Sequence, residues 1–346
     1  MRLSVCIPTF NFGPYIGATL ESILPQVRDG VEVIVLDGGS TDNTASVVQA
    51  LQAEYPSLRY ERREQRGGID RDIARTVELA RGEYCWLFCA DDLMKEGAIE
   101  RMLHNLERGC DVYICGLTLC TLDMQPLREH RVARIKTESQ FDLRVNKERR
   151  SYFARAQTTT AFFSFAGSIT FKKSRWDELE LDERFVGSLW GHVARFFALI
   201  PRGLRLDYVP DSYLLKRTEN DSFLDQGIVN RLAVAIDGYD RLASTFFGER
   251  SFEARQIRRT VRNESPPWLL LTVKFGELPP AELARLDGLA AKVYGDRTPL
   301  NVLCLLTYRH TPRVAFVAAR GGYRRARSIA GSLRRGRRRE PLAAGR

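Results

Sequence analysis

Gly82-Glu83-Tyr84-Cys85-Trp86-Leu87-Phe88-Cys89-Ala90-Asp91-Asp92 decides how the rest of the chain reads. Residues 84–90 form an unbroken apolar run, the pattern of a strand covered on both faces, and two adjacent carboxylates close it. The same unit recurs upstream. Residues 3–7 and 31–36 are short apolar runs; Pro8 ends the first and Asp37-Gly38-Gly39-Ser40-Thr41-Asp42 breaks the second. Between them Gly13-Pro14 opens a helix, with Pro in a permitted first turn and Ile16, Leu20, Ile23 and Leu24 on one face. Val47, Val48 and Leu51 mark a second helix, and residues 58–61 a weaker strand. Gly67-Gly68 precedes a third helix carrying Ile69, Ile73 and Val77, with Gly82 where a C-terminal cap belongs. A fourth helix falls near 95–106, stopped by Gly109, and another strand begins at 111–115. Repeated strand–helix units imply an α/β fold, a Rossmann-like, mostly parallel sheet flanked by helices. Ligands bind beyond the carboxyl ends of such strands. Here those ends read Pro8-Thr9-Phe10-Asn11, Asp37-Gly38-Gly39 and Asp91-Asp92.

After residue 115 the alternation stops. Residues 116–160 are polar and irregular, 165–171 and 208–215 look like strands, and 190–200 and 228–247 look helical. Pro266-Pro267 and Pro279-Pro280 punctuate a helical C-terminal region. Four segments are expected: 1–115, 116–230, 231–310 and 311–346.

At 346 residues, 44% hydrophobic and 28% charged, the chain can bury a core. Its net charge of +10 is unevenly placed: residues 309–346 hold twelve arginines and one acid, leaving 1–308 nearly neutral. A protein embracing nucleic acid with its whole surface is thereby excluded, and only Tyr323 interleaves the arginines of 317–346 as an aromatic. The seven cysteines are odd in number, show no CxxC and sit mostly in apolar runs, which reads as buried thiols rather than zinc ligands. No signal peptide and no 18-residue apolar window occur, so a cytoplasmic protein is expected.

Several constellations could carry chemistry, each beside a plainer reading. Asp91-Asp92 suits a divalent ion shared with phosphate oxygens, or else an N-cap of the next helix. The loop 37–42 allows close approach of an anion or a ribose, or is a simple turn; it is neither GxGxxG nor a P-loop. Gly68 precedes Arg71, a cation in a first helical turn, which calls for an anion or pairs with Asp70 or Asp72. His192, after Trp190-Gly191, is a base or a structural histidine. Arg217 with Asn220-Asp221 holds a phosphate or forms a solvated turn.

Taken together, the chain resembles family 2 glycosyltransferases of the GT-A fold. The Pro-Thr-aromatic-Asn strand end matches Pro8 to Asn11, the acidic loop matches Asp37 to Asp42, and the Gly-Glu-Tyr strand matches Gly82 through Asp92. Cys89 stands at the first Asp of the Asp-x-Asp motif, and Gly191-His192 stands where many relatives carry Glu-Asp. More narrowly it is similar to the abequosyltransferases of bacterial O-antigen assembly. Gly82–Trp86, 172–177, 220–223 and 267–269 carry that likeness.

The resemblance implies metal-assisted transfer of a deoxy or dideoxy sugar from a CDP-, UDP-, dTDP- or GDP-linked donor to a lipid-linked oligosaccharide. Residues 1–115 would then be the nucleotide-sugar half and 116–230 the acceptor half of the GT-A domain. Pro8, Thr9, Asn11, Asp37, Gly38, Gly39 and Gly68 would line the donor site, with Arg71 and Arg217 facing the diphosphate. Asp91 and Asp92 would hold Mg²⁺ or Mn²⁺. Catalysis is assigned to His192 and Asp92, and acceptor contacts to Trp190, Asn220 and Asp221. The apolar residues interleaved with arginines in 312–346 suggest docking on the anionic inner face of the cytoplasmic membrane, against a solubilising tail as the alternative.

Overall fold

The computed structural model describes residues 1–220, 226–296 and 298–319. They fall into two compact units, divided between Glu264 and Ser265. In the first, four strand–helix repeats give β1 Leu3–Thr9, α1 Gly13–Ile23, β2 Val31–Asp37, α2 Thr44–Glu54, β3 Leu58–Arg62, α3 Ile69–Leu79, β4 Tyr84–Leu87 and, after a two-residue β5 Leu93–Met94, α4 Ala98–Leu106. β3, β2, β1 and β4 pair in that order, all parallel. Leu3, Val5, Ile7, Val33, Val35 and Trp86 pack on one face with Ile16, Leu20, Val48 and Ile99 of the helices. Cys6, Ile34, Leu36, Cys85 and Leu87 are buried on the other, where α3 covers β1 and β2. Burial on both faces is why these strands lack a polar alternation.

Two punctuation readings give way. Pro8 does not end β1; it pairs with Leu36 inside the strand. Cys6 turns its carbonyl to Phe88 (2.9 Å), so Pro8, two residues on, faces the side where β4 has already finished and no N–H is needed. Gly82 does not cap α3, which ends at Leu79. A Cβ on Gly82 would lie 2.7 Å from the Ser4 backbone nitrogen, so its smallness serves strand packing.

The region read as irregular is ordered. β6 runs Val112–Cys120, followed by β7 Pro126–His130, β8 Ser139–Asp142 and α5 Asn146–Arg155. The strand expected from 165 starts later: a 3-10 turn, Ala166–Ser168, leads into β9 Ile169–Lys172. α6 Lys173–Trp176, α7 Gly191–Leu199, β10 Arg205–Arg217, α8 Ile228–Phe247 and α9 Phe252–Glu264 complete the unit. β9 wedges antiparallel between β4 and β6, and β10 lies parallel to β6, so the ten-stranded sheet becomes mixed. The helical region expected over 231–310 is divided, with α8 and α9 inside the first unit. The second unit holds α10 Pro267–Lys274, α11 Pro280–Val293 and α12 Pro299–His310, each opened by a proline at a first-turn position that needs no N–H.

Candidate active site

At the carboxyl edge of β1 and β2 two loops are laced together. Asp37 is wholly buried; its Oδ1 accepts the N–H groups of Gly39 (3.0 Å) and Ser40 (2.7 Å), and its Oδ2 accepts the Tyr60 hydroxyl (2.8 Å). Burial and that carboxylate hold the Tyr60 phenol well above its usual range. The Asn11 N–H donates to Ser40 Oγ (2.8 Å), and Asn11 Oδ1 accepts the Thr41 N–H (2.8 Å). Asn11 adopts the left-handed region (φ 58°), which its side chain tolerates better than most. Thr9 Oγ1 is buried without a partner, an atom of the kind a ligand satisfies.

A second glycine-rich turn meets the first. A Cβ on Gly38 would sit 2.7 Å from Asp72 Oδ2, and one on Gly67 would sit 2.5 Å from Arg63 Nη1 and 3.0 Å from Asp72 Oδ1. Gly39 (φ 92°) and Gly68 (φ 83°) are both left-handed. Asp72 is buried, which raises its pKa, and is held by Arg63 at 3.2 Å. Tyr60, Arg63 and Asp72 were missed by sequence reasoning. The available signal was an acid beside Ile73 on the apolar face of α3.

Arg71 pairs with neither Asp70 nor Asp72. Asp70 is buried and accepts three backbone N–H groups, from Gly187 (2.8 Å), Leu189 (3.1 Å) and Gly191 (2.9 Å), fixing the entry to α7. Arg71 instead reaches Glu183 (2.8 Å) and lines a cavity of about 530 Å³ with Trp176 and Arg195. None of Thr9, Asp37 or Asp91 lines that cavity.

Beyond β4 the chain turns at Asp91 and Asp92 into β5, and neither residue caps a helix, since the residue before α4 is Gly97. The N-cap reading therefore falls. Ligand atoms of Cys89, Asp91 and Asp92 lie within 4.8 Å of one another. Asp91 is half-buried and its Oδ2 accepts Asn220 Nδ2 (2.9 Å); Asp92 is buried and its Oδ1 accepts the Arg217 N–H (2.8 Å). Arg217 Nε donates to the Asp91 carbonyl (2.9 Å), Nη1 to the Leu122 carbonyl, and the guanidinium lies 4.7 Å from the Tyr15 ring centre. Arg217 thus buttresses the acidic turn. Burial raises both carboxyls, and the Asp91 charge helps push Asp92 up to about 8, with Lys216 nearby offsetting part of it. Two close carboxylates held in poor solvent, with Lys216 and Arg217 offsetting only part of the cost, suit a hard divalent cation. Asp91 presents the more reachable carboxylate and Asp92 stands behind it, whereas the Cys89 thiol is soft and raised by burial.

Two residues expected on the acceptor side are packed in. Trp190 is 7% exposed, donates its indole N–H to the Val234 carbonyl (2.9 Å), and meets Tyr239 edge-to-face. His192 is 4% exposed, with Nε2 on the Phe163 carbonyl (3.0 Å) and Nδ1 unpartnered; burial lowers its pKa, so it is neutral near pH 7. Asp221 lies outside the described residues.

A sheet of this topology, with an acidic turn on its carboxyl edge, is that of the GT-A class of glycosyltransferases. The fold is shared with Staphylococcus aureus TarS 1-349 in complex with UDP-GlcNAc: TM-score 0.60, 15% identity, 93% of this chain and 92% of that one covered. It is also shared with the mannosyltransferase PcManGT of Pyrobaculum calidifontis in complex with GDP-Man and Mn²⁺, at TM-score 0.51 and 18% identity, over 88% and 79% of the two chains. Residues 4–174 match the family described as glycosyl transferase family 2, and the chain belongs to that family. It is 28% identical over 278 residues to the abequosyltransferase RfbV of Salmonella typhimurium, covering 79% of this chain and 83% of the relative.

Proposed function

We propose that the protein moves a sugar, of the deoxy or dideoxy class, from a nucleotide-sugar to a hydroxyl of a lipid-linked oligosaccharide in bacterial O-antigen synthesis. The acid pair Asp91–Asp92, on the same carboxyl edge of the sheet as Thr9 with its unpartnered hydroxyl and Asp37, is the observation that carries this reading. The name of the Salmonella relative supports the sugar class and the pathway, and the ligands of the two solved structures support a nucleotide-linked donor. In this reading Thr9, Asn11 and Asp37 shape the nucleoside site, Gly68 leaves open space where a side chain would stand, and Arg217 stiffens the acidic turn. Asp91, backed by Asp92, would hold Mg²⁺ or Mn²⁺, which supplies positive charge where the diphosphate leaves.

Asp91→Asn tests it. Nucleoside diphosphate release from CDP-, UDP-, dTDP- and GDP-sugars should fall at least about 100-fold, the scale of several kcal/mol of lost charge stabilisation. The thermal shift produced by nucleoside diphosphate with Mn²⁺ should vanish. The melting temperature without metal should hold or rise, because a buried like-charge repulsion is gone. Undiminished release contradicts the reading.

We infer that residues 312–346 hold the enzyme on an anionic membrane face. In support, α12 leaves Leu300 64%, Leu303 61% and Leu306 48% exposed, and the arginines of the tail follow it in sequence. Residues 320–346 of that segment lie outside the described residues, and among those described no helix is long and apolar enough to cross a membrane. Deleting 312–346 should abolish binding to phosphatidylglycerol vesicles and spare transfer to a soluble acceptor; unchanged vesicle binding refutes it.

A further inference from the structure

A base for an acceptor hydroxyl must be reachable by substrate, and His192 is closed in. A carboxylate has the access His192 lacks. Glu264, the last residue of α9, is solvent-accessible, and its Oε2 accepts the Thr159 N–H at 3.1 Å. Thr159 belongs to a segment, with Phe162 and Phe163 buried in its middle, that runs from Glu264 to the acidic turn. Thr159 Oγ1 donates to Ser164 Oγ (3.0 Å), and the hydroxyls of Thr158 and Thr160 both meet His130 Nε2 (3.1 Å each). Phe165 lies under the Lys216 ammonium, 4.3 Å from its ring centre. The Gly167 carbonyl takes the Trp86 indole N–H (2.9 Å), on the strand that leads to Cys89 and Asp91. Lys216 directly precedes Arg217, whose backbone N–H holds Asp92.

We propose that Glu264 is the base that takes the proton of the acceptor hydroxyl, an inference that rests on the transferase reading above. In the step, the acceptor O–H proton passes to the Glu264 carboxylate as the acceptor oxygen bonds to the anomeric carbon. The bond from that carbon to the phosphate oxygen breaks, and its electron pair leaves with the nucleoside diphosphate. The groups facing Glu264 are the Thr159 N–H, Lys216 of β10, and Arg231 and Tyr239 of α8. Crowding by protein raises the carboxyl although Lys216 and Arg231 pull it down, and a raised carboxyl is the stronger base near neutrality. His192 becomes a positioning residue, which fixes the Phe163 carbonyl from behind the same segment.

Glu264→Gln keeps an oxygen acceptor for Thr159 and removes the basic site. With CDP-, UDP-, dTDP- and GDP-sugars as donors and a lipid extract of an O-antigen-forming bacterium as acceptor, acceptor-dependent nucleoside diphosphate release should fall about 10²–10⁴-fold. The thermal shift by nucleoside diphosphate with Mn²⁺ should stay at the wild-type value. Glu264→Ala should regain release in added formate, whereas His192→Gln should not respond to formate. Wild-type release in Glu264→Gln, or an inactive Glu264→Ala that formate does not rescue, overturns the assignment alone. A wild-type chain that neither shifts with nucleoside diphosphate nor releases it from any donor overturns the transferase reading and this assignment together.

Discussion

The two halves of the first unit are held by different means. In β3-β2-β1-β4 every pairing is parallel and each strand is joined to the next in sequence by one α-helix, so the functional loops emerge at one edge by chain handedness alone. Those loops are then fixed by hydrogen bonds between backbone and short polar side chains, as with Asp37, Asn11 and Asp42. In the β9-β6-β10 half the strands come from distant parts of the chain. Its second core is aromatic: Phe153 and Phe162 lie 4.7 Å apart, Phe163 and Phe196 4.7 Å, Phe171 and Trp176 4.8 Å. The difference explains why Trp190 and His192, singled out in the second half, proved to be packing elements. Trp190 and His192 spend their N–H groups on the Val234 and Phe163 carbonyls.

The sharpest way to break this contrast is Trp190→Ala. It should cost about 3–5 kcal/mol in urea unfolding, from the cavity left against Tyr239 and the orphaned Val234 carbonyl. Nucleotide-induced stabilisation should persist in the fraction that stays folded. A loss below 1 kcal/mol would mean the aromatic half does not depend on that ring. This is the reverse of Asp91→Asn, where activity goes and stability stays.

The smallest effect belongs to the polar half. The exposed Asp42 carboxylate accepts the Gly13 N–H (2.9 Å), the Thr44 N–H (3.0 Å) and the Thr44 hydroxyl (2.5 Å), tying the starts of α1 and α2. Those hydrogen bonds lower its pKa against the opposing effect of burial. A depressed folded value means the stabilisation is present above the unfolded value of 3.8 and is lost as pH falls through the folded one. Asp42→Asn should therefore cost about 0.5–1 kcal/mol at pH 7 and less below pH ~3. A difference from wild type that does not shrink in acid would show that the charge is irrelevant there.

Much of the first half was legible. Apolar runs of strand length, one-faced helices and the Asp-Asp ending of the fourth strand identified the elements and the edge where Thr9, Asn11, Asp37 and Asp91 gather. What was not legible had nonlocal causes. Asp72 matters because two glycine turns close on it, and Gly116 because the β10 irregularity would put its Cβ 2.3 Å from the Pro210 carbonyl. The stretch after 115 looked irregular because the half-exposed β7 and β8 carry mixed polar residues, and their partners are supplied by β6 and β10.

The sequence by itself determined the parallel core, the glycine loops, the acid pair and the arginine-rich end, since periodicity and turn chemistry act over a few residues. Tertiary structure alone decided which polar groups stay reachable. Arg71 turned to Glu183, His192 and Trp190 were buried, and Glu264, at the end of a helix 72 positions beyond His192, came to the segment beside the acidic turn. Accessibility depends on what the rest of the chain packs against a residue, and no local pattern encodes that.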